Sequence, residues 1–180
     1  EHKDFSEERV RDEIEQVLST LSHEEEAEIA FFGGSFTGID RKLMLYLLEV
    51  AKGYVDAKKV SGIRLSTRPD YIDREILDIL RDHRVTAVEL GLQSMCDHVL
   101  EASKRGHGSR CAERACALVK EYGFELVGQM MIGLPGGNLE NEVETARKIC
   151  EMGADGARIY PTVTFYDTEL SKMAERGEYE

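Results

Sequence analysis

No stretch of this 180-residue chain is apolar for long enough to cross a membrane, and its opening residues, EHKDFSEER, have nothing of a secretory leader. Positive charge is outnumbered, with 23 Lys and Arg against 35 Asp and Glu. The formal net charge is -12, which argues against this surface holding nucleic acid by itself, because a phosphate backbone calls for a basic footprint. The acidic residues gather in runs such as EEEAE and ENEVE, which read as solvated helix faces. Cysteine is sparse and badly spaced for a metal: Cys96, Cys111, Cys116 and Cys150 have neither the close pairing of a zinc site nor the density of a disulfide scaffold. Cys111 and Cys116, five apart on an expected helix, stand about 140° apart around its axis. Buried free thiols in a soluble, cytoplasmic protein are the expectation.

The common phosphate-loop signatures are missing too. No Gly-Lys-Ser/Thr follows any glycine loop, which excludes a P-loop, and no G-x-G-x-x-G follows the first apolar run. GGSF opens the phosphate loop of some nucleotidyltransferases, but the H-x-G-H that such a site needs is absent from the GIDRKLM that follows.

What is present is alternation. Val10, Ile14, Val17, Leu18 and Leu21 recur at helical spacing behind Ser6, and an apolar strand then starts at Ile29. Asp40 opens a helix whose inward stripe is Leu43, Leu47, Val50, Ala51 and Tyr54. A strand over residues 63–67 runs into RPDY, where Pro69 removes a donor that a strand interior would need. Asp73 opens the next helix, a strand follows over 86–90, and a helical region is split near Gly106 and Gly108, with Ser109 as the cap of its second half. Residues 124–132 form a long apolar strand of the kind covered on both faces. Asn138 starts a helix with Val143, Ala146, Ile149 and Cys150 inward, Gly153 stops it, and residues 157–163 make the last strand.

Strand and helix alternate with a repeat of roughly 25 to 40 residues, which predicts α/β architecture with a parallel sheet or barrel in one domain. In such folds chemistry gathers where strands end, and there the chain places GGSFTG, STRPD, GLQS, GLPGG and YPT. Gly33 and Gly34 read either as a plain turn or as a loop whose backbone a ligand can approach closely. Glu89 shares the inward face of its strand with Gly91 and Gln93, so it needs a cation; Arg64 or Arg68 on the adjacent strand is the expected partner.

Taken in order, FFGGSFTG, STRPDY, VELGLQS, SKRGH, QMMIGLPG and IYPT resemble the radical S-adenosylmethionine (SAM) superfamily. The nearest likeness is to the branch that holds the oxygen-independent coproporphyrinogen oxidases and the catalytic subunit of Elongator, a tRNA-uridine modifying enzyme. The resemblance implies a partial (β/α)6 TIM-type barrel, a [4Fe-4S] cluster, an electron donor, and SAM cleaved reductively to a 5′-deoxyadenosyl radical. It also implies site residues. Gly33, Gly34, Ser35 and Thr37 would hold the methionyl amino group, and Arg105 the carboxylate. Gln93 and Gln129 would face the ribose hydroxyls, and Met131 and Ile132 would border the adenine. Ser66 stands where these relatives often carry a carboxylate, so its contact would be weaker or different. His107 reads as a surface or capping residue.

The family's C-x3-C-x2-C loop has no counterpart among these residues. The resemblance therefore implies an incomplete core that lacks its first strand, has its cluster ligands upstream of residue 1, and contains no metal ligand or catalytic residue of its own. By itself such a core is expected to be inactive. The substrate is left open, with tRNA not favoured. Two other readings stay open: a (β/α) barrel lyase or isomerase that binds a phosphorylated metabolite, and a non-catalytic barrel that serves as an interaction module.

Overall fold

The computed structural model describes residues 7–22 and 27–179. Five strands lie in one sheet in sequence order: β1 (Glu28–Phe31), β2 (Gly62–Thr67), β3 (Val85–Gln93), β4 (Glu125–Ile132) and β5 (Gly156–Pro161). Every neighbouring pair is parallel. The helices are α1 (Glu7–Leu18), α2 (Arg41–Asp56), α3 (Arg74–Asp82), α4 (Asp97–Ala102), α5 (Ser109–Glu121), α6 (Leu139–Glu151) and α7 (Glu169–Glu175). Strands joined in order by helical crossovers of one hand carry those helices on one face. The sheet curls away from them into a half-barrel, far enough that the Arg158 guanidinium of β5 lies 5.8 Å from the centre of the Phe32 ring, just past β1. The other edge of β1 carries no strand among the described residues.

The apolar core lies between sheet and helices, where Met44, Leu48, Leu65, Leu77, Leu90, Leu126 and Ile149 are all but inaccessible. The concave face is polar, because Arg64, Ser66, Glu89, Gln129 and Arg158 occupy the alternate positions of their strands. A packed apolar barrel interior is thus not what holds this sheet together.

The helix starts follow side-chain chemistry. Asp40, Asp73 and Asn138 accept the backbone N–H of Leu43, Ile76 and Asn141 at 3.0, 2.8 and 2.9 Å. Ser109 does not cap its helix. Gly108 takes the cap position, and the carboxylate of Asp97 accepts the Ser109 N–H at 2.7 Å. The expectation at Ser6 falls outside the described residues.

Two expectations of burial are corrected, and the apolar stripe of α1 is only partly covered. Val17 and Leu21 are 59% and 39% exposed, because α1 lines an apolar groove of about 640 Å³ along β1 and α2 without being covered in turn. On α6, Val143 and Cys150 are exposed while Ile149 is buried, since the strand beneath its outer flank is the sheet edge β5. The thiols are not uniformly buried either: Cys116 is, and burial pushes its pKa up to about 12, but Cys96 and Cys111 are half-buried. No described helix is long and apolar enough to cross a membrane.

Leu65 is inaccessible at the middle of β2. Leu65→Ala is expected to lower the unfolding free energy by about 2–5 kcal/mol in a urea titration. Val163→Ala, at a 59% exposed position, should change it by no more than about 0.5 kcal/mol.

Candidate functional site

The C-terminal ends of β1 and β2 and the segment after α4 surround a cleft of about 350 Å³ lined by Gly34, Ser35, Ser66, Thr67, Arg68, Lys104 and Arg105. The loop after β1 is shaped from below by Phe31, which stacks on Phe36 at 4.5 Å between ring centres. Gly33 has φ +103°, a conformation that suits glycine, and a Cβ added at Gly34 would meet no protein atom within 4 Å. The space over this backbone is open.

Of the loop hydroxyls, Ser35 lines the cleft, whereas Thr37 is committed elsewhere. Thr37 Oγ1 is 2.6 Å from Thr67 Oγ1 and donates to the Tyr71 carbonyl at 3.0 Å, which pins the loop to the end of β2. Its role in the structure is to support the loop.

Arg105 enters from the opposite wall. It is half-buried, has no carboxylate partner among the described residues, and its Nε is buried without a hydrogen-bond partner. Burial, and then the charge of Arg68, hold its pKa below the usual arginine value, so an anion in the cleft would relieve both. Arg68 is itself neutralised by a two-pronged contact to Asp70 at 2.9 and 2.7 Å. Next to Arg105 in the chain, Gly106 has φ +79°, and a Cβ there would come within 2.9 Å of Arg68 Nη2. His107 is half-buried and not on the surface: its Nε2 lies 3.4 Å from the Leu92 carbonyl, Nδ1 is buried without a partner, and burial pushes its pKa down.

Deeper on the concave face, Gln129 donates from Nε2 to Glu89 at 2.8 Å, and its Oε1 accepts from Ser66 at 3.4 Å. Gln93 closes β3 with φ +67° and a buried Oε1 that has no partner. Its amide folds back over Gly91, where a Cβ would sit 2.9 Å from Gln93 Nε2. Strand alternation separates Met131 from Ile132: Met131 shares the concave face with Gln129, whereas Ile132 lies on the helix side and is 38% exposed.

Glu89 is fully inaccessible. Its principal partner is Arg158, which donates from Nε at 2.7 Å and Nη2 at 2.9 Å, with Arg64 Nη1 adding charge at 3.5 Å. Of the two expected partners, then, Arg64 contributes secondarily and Arg68 does not, because Asp70 engages it. Burial pushes the Glu89 pKa up, but the hydrogen bonds from Arg158 and Gln129 and the charges of Arg158 and Arg64 outweigh it, and the net shift is downward. Arg158 escaped sequence reasoning although its position, inward on the strand beyond Gln129, was the available signal.

No group of three or more His, Cys, Asp or Glu side chains is placed to hold a metal among the described residues, so those residues do not fit a [4Fe-4S] cluster. They do fit a carboxylate-bearing ligand at Arg105.

The sequence model of the radical SAM superfamily matches residues 2–149. An uncharacterized protein of Methanocaldococcus jannaschii is 30% identical over 155 residues, which is 84% of this chain and 47% of that protein. A tRNA uridine(34) acetyltransferase of the same organism is 27% identical over 186 residues, 92% of this chain and 34% of its own length. The chain thus spans from about a third to about half of these curated relatives. Among solved structures, the Elp3 of Methanocaldococcus infernus, with its N-terminus (1-46) deleted, superposes with a TM-score of 0.80 at 26% identity, over 96% of this chain and 45% of that one.

Arg158→Ala would leave Glu89 buried without its main partner. Because Arg158 is itself 46% exposed and Arg64 and Gln129 remain, the expected loss of stability is roughly 2 kcal/mol, below the range for breaking a fully buried pair. Since the folded pKa of Glu89 lies below its unfolded value, its stabilising contribution is complete above the unfolded pKa and is lost as pH falls through the folded one. Denaturant titrations across that acidic window should show the variant losing less stability on acidification than the parent.

Proposed function

The chain belongs to the radical SAM superfamily, and from that premise we propose that it is the part of an enzyme that holds S-adenosylmethionine in the Gly34–Arg105 cleft. The observation that carries this reading is Arg105, a half-buried guanidinium without a carboxylate partner among the described residues, which lines one cleft with Gly34. A planar fork suits a carboxylate because both oxygens are met at once. In the proposal, Arg105 grips the methionyl carboxylate, and Gly33, Gly34 and Ser35 offer carbonyl and hydroxyl oxygens to the amino group. The unpartnered Oε1 of Gln93 accepts from a ribose hydroxyl. Gln129 takes a second such contact beside Ser66, and Met131 forms an apolar wall against the adenine, with Ile132 at the rim. Thr37 holds the glycine loop in place through Thr67.

When bound, SAM and a reduced [4Fe-4S] cluster supply the one-electron chemistry, for which an electron donor is required. The described residues supply no set of thiolates for that cluster. The work of the described residues is to bind the cofactor, orient it and exclude water around the methionyl group.

For the substrate, tRNA is the second reading, supported by similarity to the tRNA uridine(34) acetyltransferase. The net charge of -12 weighs against this surface holding RNA alone. A mobility-shift titration with unmodified tRNA should therefore show weak binding to this chain that disappears as salt is raised.

Titration calorimetry with SAM under anaerobic conditions tests the first reading. Arg105→Ala should weaken binding by about tenfold or more, the loss expected for a charge-assisted contact, and Arg105→Lys should recover only part of it. If inorganic phosphate raises the melting temperature of the parent and SAM has no effect, the cleft serves a phosphorylated metabolite instead and the proposal fails.

A further inference from the structure

A second chemical arrangement stands on the same rim, apart from the cleft. After β3 the chain turns through Ser94, Met95 and Cys96 into α4, and the half-buried Cys96 Sγ lies 3.0 Å from His98 Nδ1. The other ring nitrogen, Nε2, is 3.0 Å from the Gly136 carbonyl oxygen in the loop after β4. A carbonyl can only accept, so Nε2 carries the proton, and Nδ1 presents its lone pair to the thiol. The sulfur is thereby supplied with a base of fixed tautomer.

The surrounding bonds hold this geometry. The Cys96 N–H donates to Ser94 Oγ at 3.1 Å, and the Met95 N–H donates to Thr145 Oγ1 at 3.0 Å. Thr145, buried on α6, gives its own proton to the Asn141 carbonyl at 2.8 Å. Gly136 has φ +75°, and a Cβ there would touch His98 Cδ2 at 3.7 Å, so the imidazole rests against bare backbone. The other three thiols lack such an arrangement: neither Cys111, Cys116 nor Cys150 has an imidazole within hydrogen-bonding distance among the described residues.

We propose that Cys96 is a base-assisted nucleophilic thiol, with His98 as its base and the Gly136 carbonyl as the group that orients the imidazole, and that it reacts with a small peroxide. The Cys96 sulfur attacks one oxygen of hydrogen peroxide and the O–O bond breaks. The thiol proton passes to His98 Nδ1 and on to the departing hydroxide, leaving a sulfenic acid and water. Sulfur loses two electrons and the peroxide gains them. Neither Cys96 nor His98 lines the Gly34–Arg105 cleft.

The test exposes the purified protein to hydrogen peroxide, traps sulfenic acid with dimedone, and follows each cysteine by peptide mass spectrometry. Cys96 is expected to label at least about tenfold faster than the exposed Cys150, consistent with base activation. His98→Ala should bring the Cys96 rate down to that of Cys150 while the Cys150 rate and the circular dichroism spectrum stay as in the parent. His98→Gln, which can still donate to Gly136 but offers the thiol only an amide oxygen, should show the same loss and serves if the alanine variant does not fold. Equal labelling of Cys96 and Cys150 in the parent, or an undiminished Cys96 rate in a folded His98 variant, overturns the proposal.

Discussion

One buried carboxylate ties the sheet together. Glu89 on β3 receives the fork of Arg158 from β5, the amide of Gln129 from β4 and the charge of Arg64 from β2. Arg64 in turn reaches Glu28 on β1 at 2.9 Å, so all five strands contribute to one polar belt. Burying such a charge is costly, and the cost is offset only when several partners satisfy the carboxylate at once. The concave face supplies them because parallel strands in sequence order bring their inward positions side by side. An open half-barrel whose inner face is largely polar acquires its internal order in this way.

The belt also decides what the rim can do. A carboxylate only accepts hydrogen bonds, so Glu89 takes the Nε2 end of Gln129 and leaves Oε1 toward Ser66. The buried acid, which does not line the cleft, therefore sets the polarity of a side chain next to it. Above the belt the rim differs in character: Arg105 Nε and Gln93 Oε1 are buried and unsatisfied, whereas every polar atom of the Glu89 carboxylate is engaged. The belt's carboxylate is saturated, whereas the unsatisfied atoms of Gln93 and Arg105 stand at the end of β3 and in the segment after α4.

Much of this was legible in the residues. Each strand was marked by its apolar run, and Asp40, Asp73 and Asn138 announced helix starts by ordinary capping chemistry. The six strand-end motifs were enough to place the family, and Gly34 and Arg105 do share a cleft. What stayed hidden depends on geometry across strands. That Arg158 and not Arg68 pairs with Glu89 follows from the curl of the sheet and from Asp70 lying two residues after Arg68. That Thr37 faces inward to Thr67 follows from the short helical turn at Phe36–Gly38. The Cys96–His98 contact spans only two residues, but its meaning comes from a carbonyl at Gly136, 38 positions from His98. Helix stripes overstated burial wherever a helix flanks a sheet edge, as Val17 and Val143 do.

The glycine that follows Arg105 has a further consequence. Arg68 Nη2 occupies the volume where a side chain at position 106 would begin. Like charges confined to one cavity repel, and the distance between them governs how strongly the cavity attracts a negative guest. A side chain at position 106 would have to displace the Arg68 guanidinium and adopt a left-handed backbone that suits glycine. A larger residue at that one uncharged position would shift a charged neighbour without altering any charge.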